Sequence, residues 1–79
     1  MIVVEVEGGC IQWVHTNGDT DGKIVVVDYD VDGVEEEELE QSPLANPRNK
    51  QFPAKCVVYE EKPQINPDFV NYFKKIIEK

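Results

Sequence analysis

Three aspartates at alternate positions followed by a glycine, Asp28-x-Asp30-x-Asp32-Gly33, form the pattern in this chain best suited to chemistry. Calcium loops of the EF-hand type place oxygen ligands at the first, third and fifth positions. They use glycine at the sixth for the turn and a bidentate glutamate at the twelfth. Here the twelfth position is Leu39, with Glu38 before it and Glu40 after it. Asp28, Asp30 and Asp32, completed by Glu38 or Glu40, are therefore one candidate set of oxygen ligands for Ca²⁺ or Mg²⁺. The competing reading is a solvated acidic strand end closed by an Asp-Gly turn.

The same aspartates open a longer acidic tract. Residues 28–40 hold eight of the sixteen acids and no Lys or Arg: Asp28, Asp30, Asp32, Glu35, Glu36, Glu37, Glu38 and Glu40. Across residues 1–47, twelve acids face Lys23 alone, a balance of −11, whereas residues 48–79 carry seven bases against four acids, or +3. A field of this sign repels phosphate backbones, which disfavours direct nucleic-acid binding, and its natural complement is a basic protein surface. Trp13 or Tyr29 would serve as an aromatic anchor for such a contact if exposed.

Other residue types give less. His15 is the only histidine and has no acid-base partner near it in sequence, and Cys10, His15 and Cys56 together fall one ligand short of a closed zinc site. Glu60-Glu61-Lys62 supplies the E-x-K triplet that restriction-type nucleases combine with an earlier aspartate such as Asp28. The chain is too short for their core, and its net charge of −8 is wrong for DNA. No glycine-rich phosphate loop is present. The reading is non-enzymatic, with no cofactor required.

Glu5-Val-x-Gly-Gly-x-Ile-Gln12, followed by Val26-Val-Asp-Tyr-Asp-x-Asp-Gly33 and the acidic run, resembles a group of short uncharacterised proteins of phages, plasmids and other bacterial mobile elements. The likeness covers roughly residues 1–40. It implies a bacterial cytoplasmic setting and a small accessory role, without any catalytic residues to carry over. By analogy with acidic accessory proteins of phages, it also suggests inhibition of a host enzyme that handles nucleic acid or serves in defence.

The elements that must position these residues follow from periodicity. In 79 residues there is room for one small domain. Ile2, Val4 and Val6 alternate with Val3, Glu5 and Glu7, which predicts a strand with a dry face and a wetter one. Gly8-Gly9 suits a tight hairpin turn, and Cys10 to His15 forms the returning strand. That strand is either covered on both faces or carries Trp13 on an exposed patch. Thr16 to Gly22 is turn chemistry, and Lys23 to Tyr29 is a third strand, with Val25, Val27 and Tyr29 on one face. Three strands joined by short turns predict an antiparallel meander.

Residues 34–53 read as an acidic, proline-containing loop with a short helical turn, in which only Val34 and Leu39 offer packing. Ala54 to Glu60 is a fourth strand. Asn66-Pro67-Asp68 caps a helix whose Phe69, Tyr72, Phe73, Ile76 and Ile77 form one stripe, with Lys74, Lys75 and Lys79 toward its C-terminal end. The expected architecture is α+β: a small antiparallel sheet of a meander plus a fourth strand, covered by one C-terminal helix.

No apolar run approaches a membrane span, and the N-terminus lacks the basic start and apolar stretch of a signal peptide. Cys10 and Cys56 then read as free thiols in strands, with a bridge between them as the alternative. The leading expectation is an interaction protein that meets a basic surface of a host protein through Asp28 to Glu40. A Ca²⁺ or Mg²⁺ module is the runner-up. A small-ligand binder formed between protomers of a homo-oligomer is the third.

Overall fold

The computed structural model describes residues 1–78; Lys79, one of the cations expected at the end of the helix, lies outside them. The chain is α+β, with strands β1 (Ile2–Glu7), β2 (Cys10–Thr16), β3 (Ile24–Asp28), β4 (Glu40–Gln41) and β5 (Lys55–Glu61), then helix α1 (Pro67–Ile77). The sheet has five strands in the order β2-β1-β3-β5-β4. It is mixed: β1 pairs antiparallel with β2 but parallel with β3, with Ile2 opposite Ile24 and Val6 opposite Asp28. The meander is thereby corrected. After the hairpin, residues 17–23 pass beneath the start of β1 instead of turning back beside β2. Along this passage the Met1 ammonium meets Asn17 Oδ1 at 3.2 Å and Asp21 at 2.8 Å. Short side-chain turns such as Asp19 N to Asn17 Oδ1 hold the loop in shape.

The Gly8-Gly9 turn forms as expected, both residues having positive φ (60° and 74°), the pairing that a two-residue hairpin turn of matching twist requires. A bulge falls between Glu5 and Val6, where Glu5 faces Trp13 but Val6 faces Ile11. Gln12 is the extra residue.

Which face of β1 is dry was not as the alternation suggested. Glu5 and Glu7 are buried, while Ile2 is exposed. The reason lies in residues 42–54. Ser42 N donates to Ala54 O and Ala54 N to Leu44 O, so this segment folds as a cover over the face that carries Glu5, Glu7, Val27, Tyr29 and Cys56. The core proper, Tyr29, Ala54 and Cys56 with Val27, sits under it. Asn46 shapes the cover by accepting from Arg48 N and Asn49 N through Oδ1. What composition marked as an open loop thus contains β4 and closes the core.

On the opposite face the central Val26 is buried by its neighbours, but the outer strands are open, with Ile11, Val14 and Tyr59 exposed. Register places Val4, Val14, Ile24, Val26, Val57 and Tyr59 on this face, together with Ile2, Val6 and Ile11. Helix α1 was expected to cover the sheet, and this is the second correction. No residue of α1 is buried, and the helix makes no extensive packing with any strand. Its local signals are nevertheless as read: Asn66 Oδ1 accepts from Phe69 N at 3.2 Å, and Pro67 opens the first turn. A radius of gyration of 15.0 Å, against about 12 Å for a compact chain of this length, reflects the outlying helix. Among the described residues no helix is long and apolar enough to cross a membrane.

Candidate functional site

The acidic tract is held in place at both ends of its run. At its start, Asp28 Oδ1 accepts from Asp30 N at 2.9 Å, and Asp30 Oδ2 accepts from Gly8 N at 2.7 Å, which ties the tract to the β1–β2 turn. Val34 and Leu39 are half-buried, and between them Glu35, Glu36, Glu37 and Glu38 are exposed. Glu36–Glu38 form one turn of 3₁₀ helix, with Glu38 N donating to Glu35 O. The short helical turn expected from composition is therefore present in a tighter form, and like charges at this density leave it no reason to lengthen. At its far end Glu40 enters β4 and faces Cys56 across the ladder. Among the described residues only Glu36 of the tract is neutralised by a neighbour, through Lys55 Nζ at 2.9 Å.

Beside this tract lies a polar cleft of about 320 Å³ whose walls include Glu7, Asp30, Asp32, Arg48 and Lys55. Glu7 is 8% exposed, and among the described residues its Oε2 is a buried side-chain oxygen without a hydrogen-bond partner. A buried carboxylate oxygen left unpaired costs far more than one in water, so a donor brought to it would be favoured. Sequence reading missed Glu7, treating it as a solvent-facing position. The signal that locates it is joint: Gly8-Gly9 fixes where β1 ends, and the aspartates after β3 must then lie beside that end.

Of the predicted site residues, Asp30 and Asp32 line this cleft. Asp28 does not, because strand alternation sends it to the face opposite Tyr29. Among the described residues no three His, Cys, Asp or Glu side chains converge as a metal site would need, so Asp28, Asp30, Asp32, Glu38 and Glu40 are not gathered around one point. Asp28 also stands apart from the E-x-K triplet. It faces Val57, whereas Glu60 and Glu61 face Val25 and Ile24 at the other end of the same ladder.

A second polar cluster lies deeper under the cover. Tyr29 Oη donates to Glu5 Oε1 at 2.5 Å and lies 3.2 Å from Ser42 Oγ, which in turn accepts from Leu44 N. Burial, together with the bond to the Glu5 carboxylate, pushes the Tyr29 hydroxyl above its ordinary range; the Ser42 contact opposes this. His15, which showed no partner in sequence, bonds Glu5 Oε2 through Nε2 at 2.5 Å. The hairpin pairs Glu5 with Trp13, and that register brings His15 alongside. Both Glu5 oxygens and the Tyr29 proton are thus engaged in holding β1, β2, β3 and the cover together.

Tyr29 is buried and no anchor for a partner; Trp13 is exposed, but on the edge strand far from the acidic tract. Cys10 is exposed and Cys56 buried, both free. Three strand spacings separate β2 from β5, roughly 14 Å and well beyond the span of a disulfide. Burial pushes the Cys56 thiol up, and the neighbouring Glu40 charge adds to the effect. No family model, curated protein or solved structure matches this chain.

Proposed function

We propose that the protein is a small non-enzymatic interaction module whose acidic end engages a basic surface of a protein partner. The observation that carries this reading is the exposed run Glu35 to Glu38 beside a cleft whose lining includes Glu7, Asp30 and Asp32. A guanidinium or ammonium entering the cleft would meet Asp30 and Asp32, and a small opening of the lining would let it supply the donor that the buried Glu7 oxygen lacks. Around it the exposed Glu35 to Glu38 and Glu40 would steer and orient the approach. Anchoring of the acidic turn by Val34, Leu39 and β4 favours binding, because the charges need little ordering on contact. Basic grooves that hold nucleic acid are the surfaces such a field fits. This agrees with a role as an inhibitor of a host nucleic-acid-handling or defence enzyme in a mobile-element setting.

An arginine-rich peptide makes a suitable probe, with affinity read by fluorescence polarisation at several salt concentrations. Glu7→Gln should weaken binding about tenfold or more, since a desolvated pair is worth more than one at a rim. Asp68→Asn removes the same charge on the helix and should change affinity about twofold or less. Equal effects of the two substitutions would reduce the interaction to net charge and remove the cleft from it.

A further inference from the structure

Two apolar surfaces of this chain stand exposed, one on the sheet and one on the helix. One is the open sheet face, with Ile11 65% exposed, Val14 59% and Tyr59 43%. The other is the stripe on α1, with Phe69 62% exposed, Tyr72 64% and Phe73 48%. Patches of this kind on a folded surface mark interfaces. We infer that the protein forms a two-fold dimer in which α1 of each copy lies across the open sheet face of the other.

The connector favours exchange between copies over return to the same sheet. Residues 62–66 join β5 to α1 without regular structure, and Ile65 within them is 99% exposed. Pro63 and Pro67 disfavour helical backbone at Lys62 and Asn66, the residues before them, and Asn66 lies at φ −145°, ψ 79°. Both ends of the connector thus take extended or turn backbone, and in the structure they carry α1 clear of its own sheet. An extended five-residue arm reaches about 16 Å, enough to deliver the helix to a neighbouring copy.

Charge agrees. Lys74 and Lys75 fall on either side of the apolar stripe at helical spacing. Asp28 and Glu61 lie on the open face at opposite ends of its apolar field, where flanking cations from a docked helix would meet them. The area is sufficient as well. The three exposed aromatics of one helix present roughly 350 Å², and with the matching sheet surface and the second copy this becomes about 1,400 Å² before any aliphatic is counted. Stable interfaces bury about 1,200–2,000 Å².

Sedimentation equilibrium and light scattering on the full chain test the arrangement. The wild type should be a dimer. Phe73→Asp on the helix and Val14→Asp on the sheet should each weaken dimerisation by at least roughly 30-fold. Circular dichroism would check that both variants keep their strands. Mixing the two variants supplies the decisive result. An intact helix from one and an intact sheet face from the other form one sound contact, so the mixture should dimerise more tightly than either alone. A wild-type monomer with a radius of gyration near 12 Å would show the helix docked on its own sheet and overturn the proposal. A dimer indifferent to Phe73→Asp would overturn it too, by assigning the contact to another surface such as the β2 edge.

Discussion

Replacing Tyr29 by phenylalanine isolates the bond that joins the core to the cover. The Tyr29 hydroxyl has one proton and gives it to Glu5, so the Ser42 hydroxyl must donate to the Tyr29 oxygen. Phenylalanine keeps the ring and removes both links. Glu5 then keeps only His15, and the buried Ser42 loses its acceptor. A hydrogen bond to a charged group is worth about 1.5–3 kcal/mol and the neutral one about 1, so the loss should be about 2.5–4 kcal/mol. For a domain of this size the total stability is about 4–12 kcal/mol, which makes the effect a large part of the whole.

Urea unfolding followed by far-ultraviolet circular dichroism would measure it; Trp13, already exposed, is a poor reporter. Alkali gives a second readout. Because the folded state holds the Tyr29 proton more tightly than the unfolded chain, its contribution is complete below the ordinary tyrosine range. It is lost as pH rises through the raised value. Wild type should therefore shed stability above about pH 10 more steeply than Tyr29→Phe. A loss under about 0.5 kcal/mol, or an unchanged alkaline slope, would refute the assignment of this bond as the tie between sheet and cover.

Two further outcomes are expected besides the tests of the cleft and the dimer. Thermal unfolding in millimolar Ca²⁺, in Mg²⁺ and in EDTA should coincide, because Asp28 and Asp30 already bond backbone amides and their neighbours do not converge. A site filled to about one hundred times its dissociation constant would instead add about 2.7 kcal/mol, and a Ca²⁺-specific rise of that size would restore the ligand set. Asn66→Ala removes the acceptor for Phe69 N and should destabilise α1 by about 1 kcal/mol, visible as lost helical signal on mild heating. An unchanged helical melt would show that the Asn66 side chain does not cap the helix.

Local chemistry was legible in this sequence, and pairing between distant segments was not. The hairpin at Gly8-Gly9, the half-buried Val34 and Leu39 around an exposed glutamate run, and the capped helix all depend on residues within a few positions of one another. The parallel alignment of β1 and β3 depends on how residues 17–23 cross beneath β1, and their turn-forming side chains suit either route. Glu5 and Glu7 read as wet because alternation reports two faces without saying which is covered. The cover was hidden in residues 42–54, whose prolines and asparagines look like an open loop although Asn46 bonds it into a defined shape. The helix stripe read as lying across its own sheet, and in the structure it stays exposed, because local spacing shows an apolar face without showing what it packs on. Glu7, the residue most telling for the site, became visible only once strand ends from separate parts of the chain lay side by side.

The two thiols give the molecule a built-in clock for its own breathing. Cys10 stands on an outer strand and Cys56 under the segment that closes the core. A thiol reagent therefore meets the first at the rate its chemistry allows. It meets the second only while β4 and the cover have swung clear. The ratio of the two rates, corrected for the suppressed ionisation of Cys56, reads how often the cover lifts without requiring the whole domain to unfold. Since the same opening unseats Leu39 and Glu40, it also reads how long the acidic turn keeps the shape in which a partner would find it.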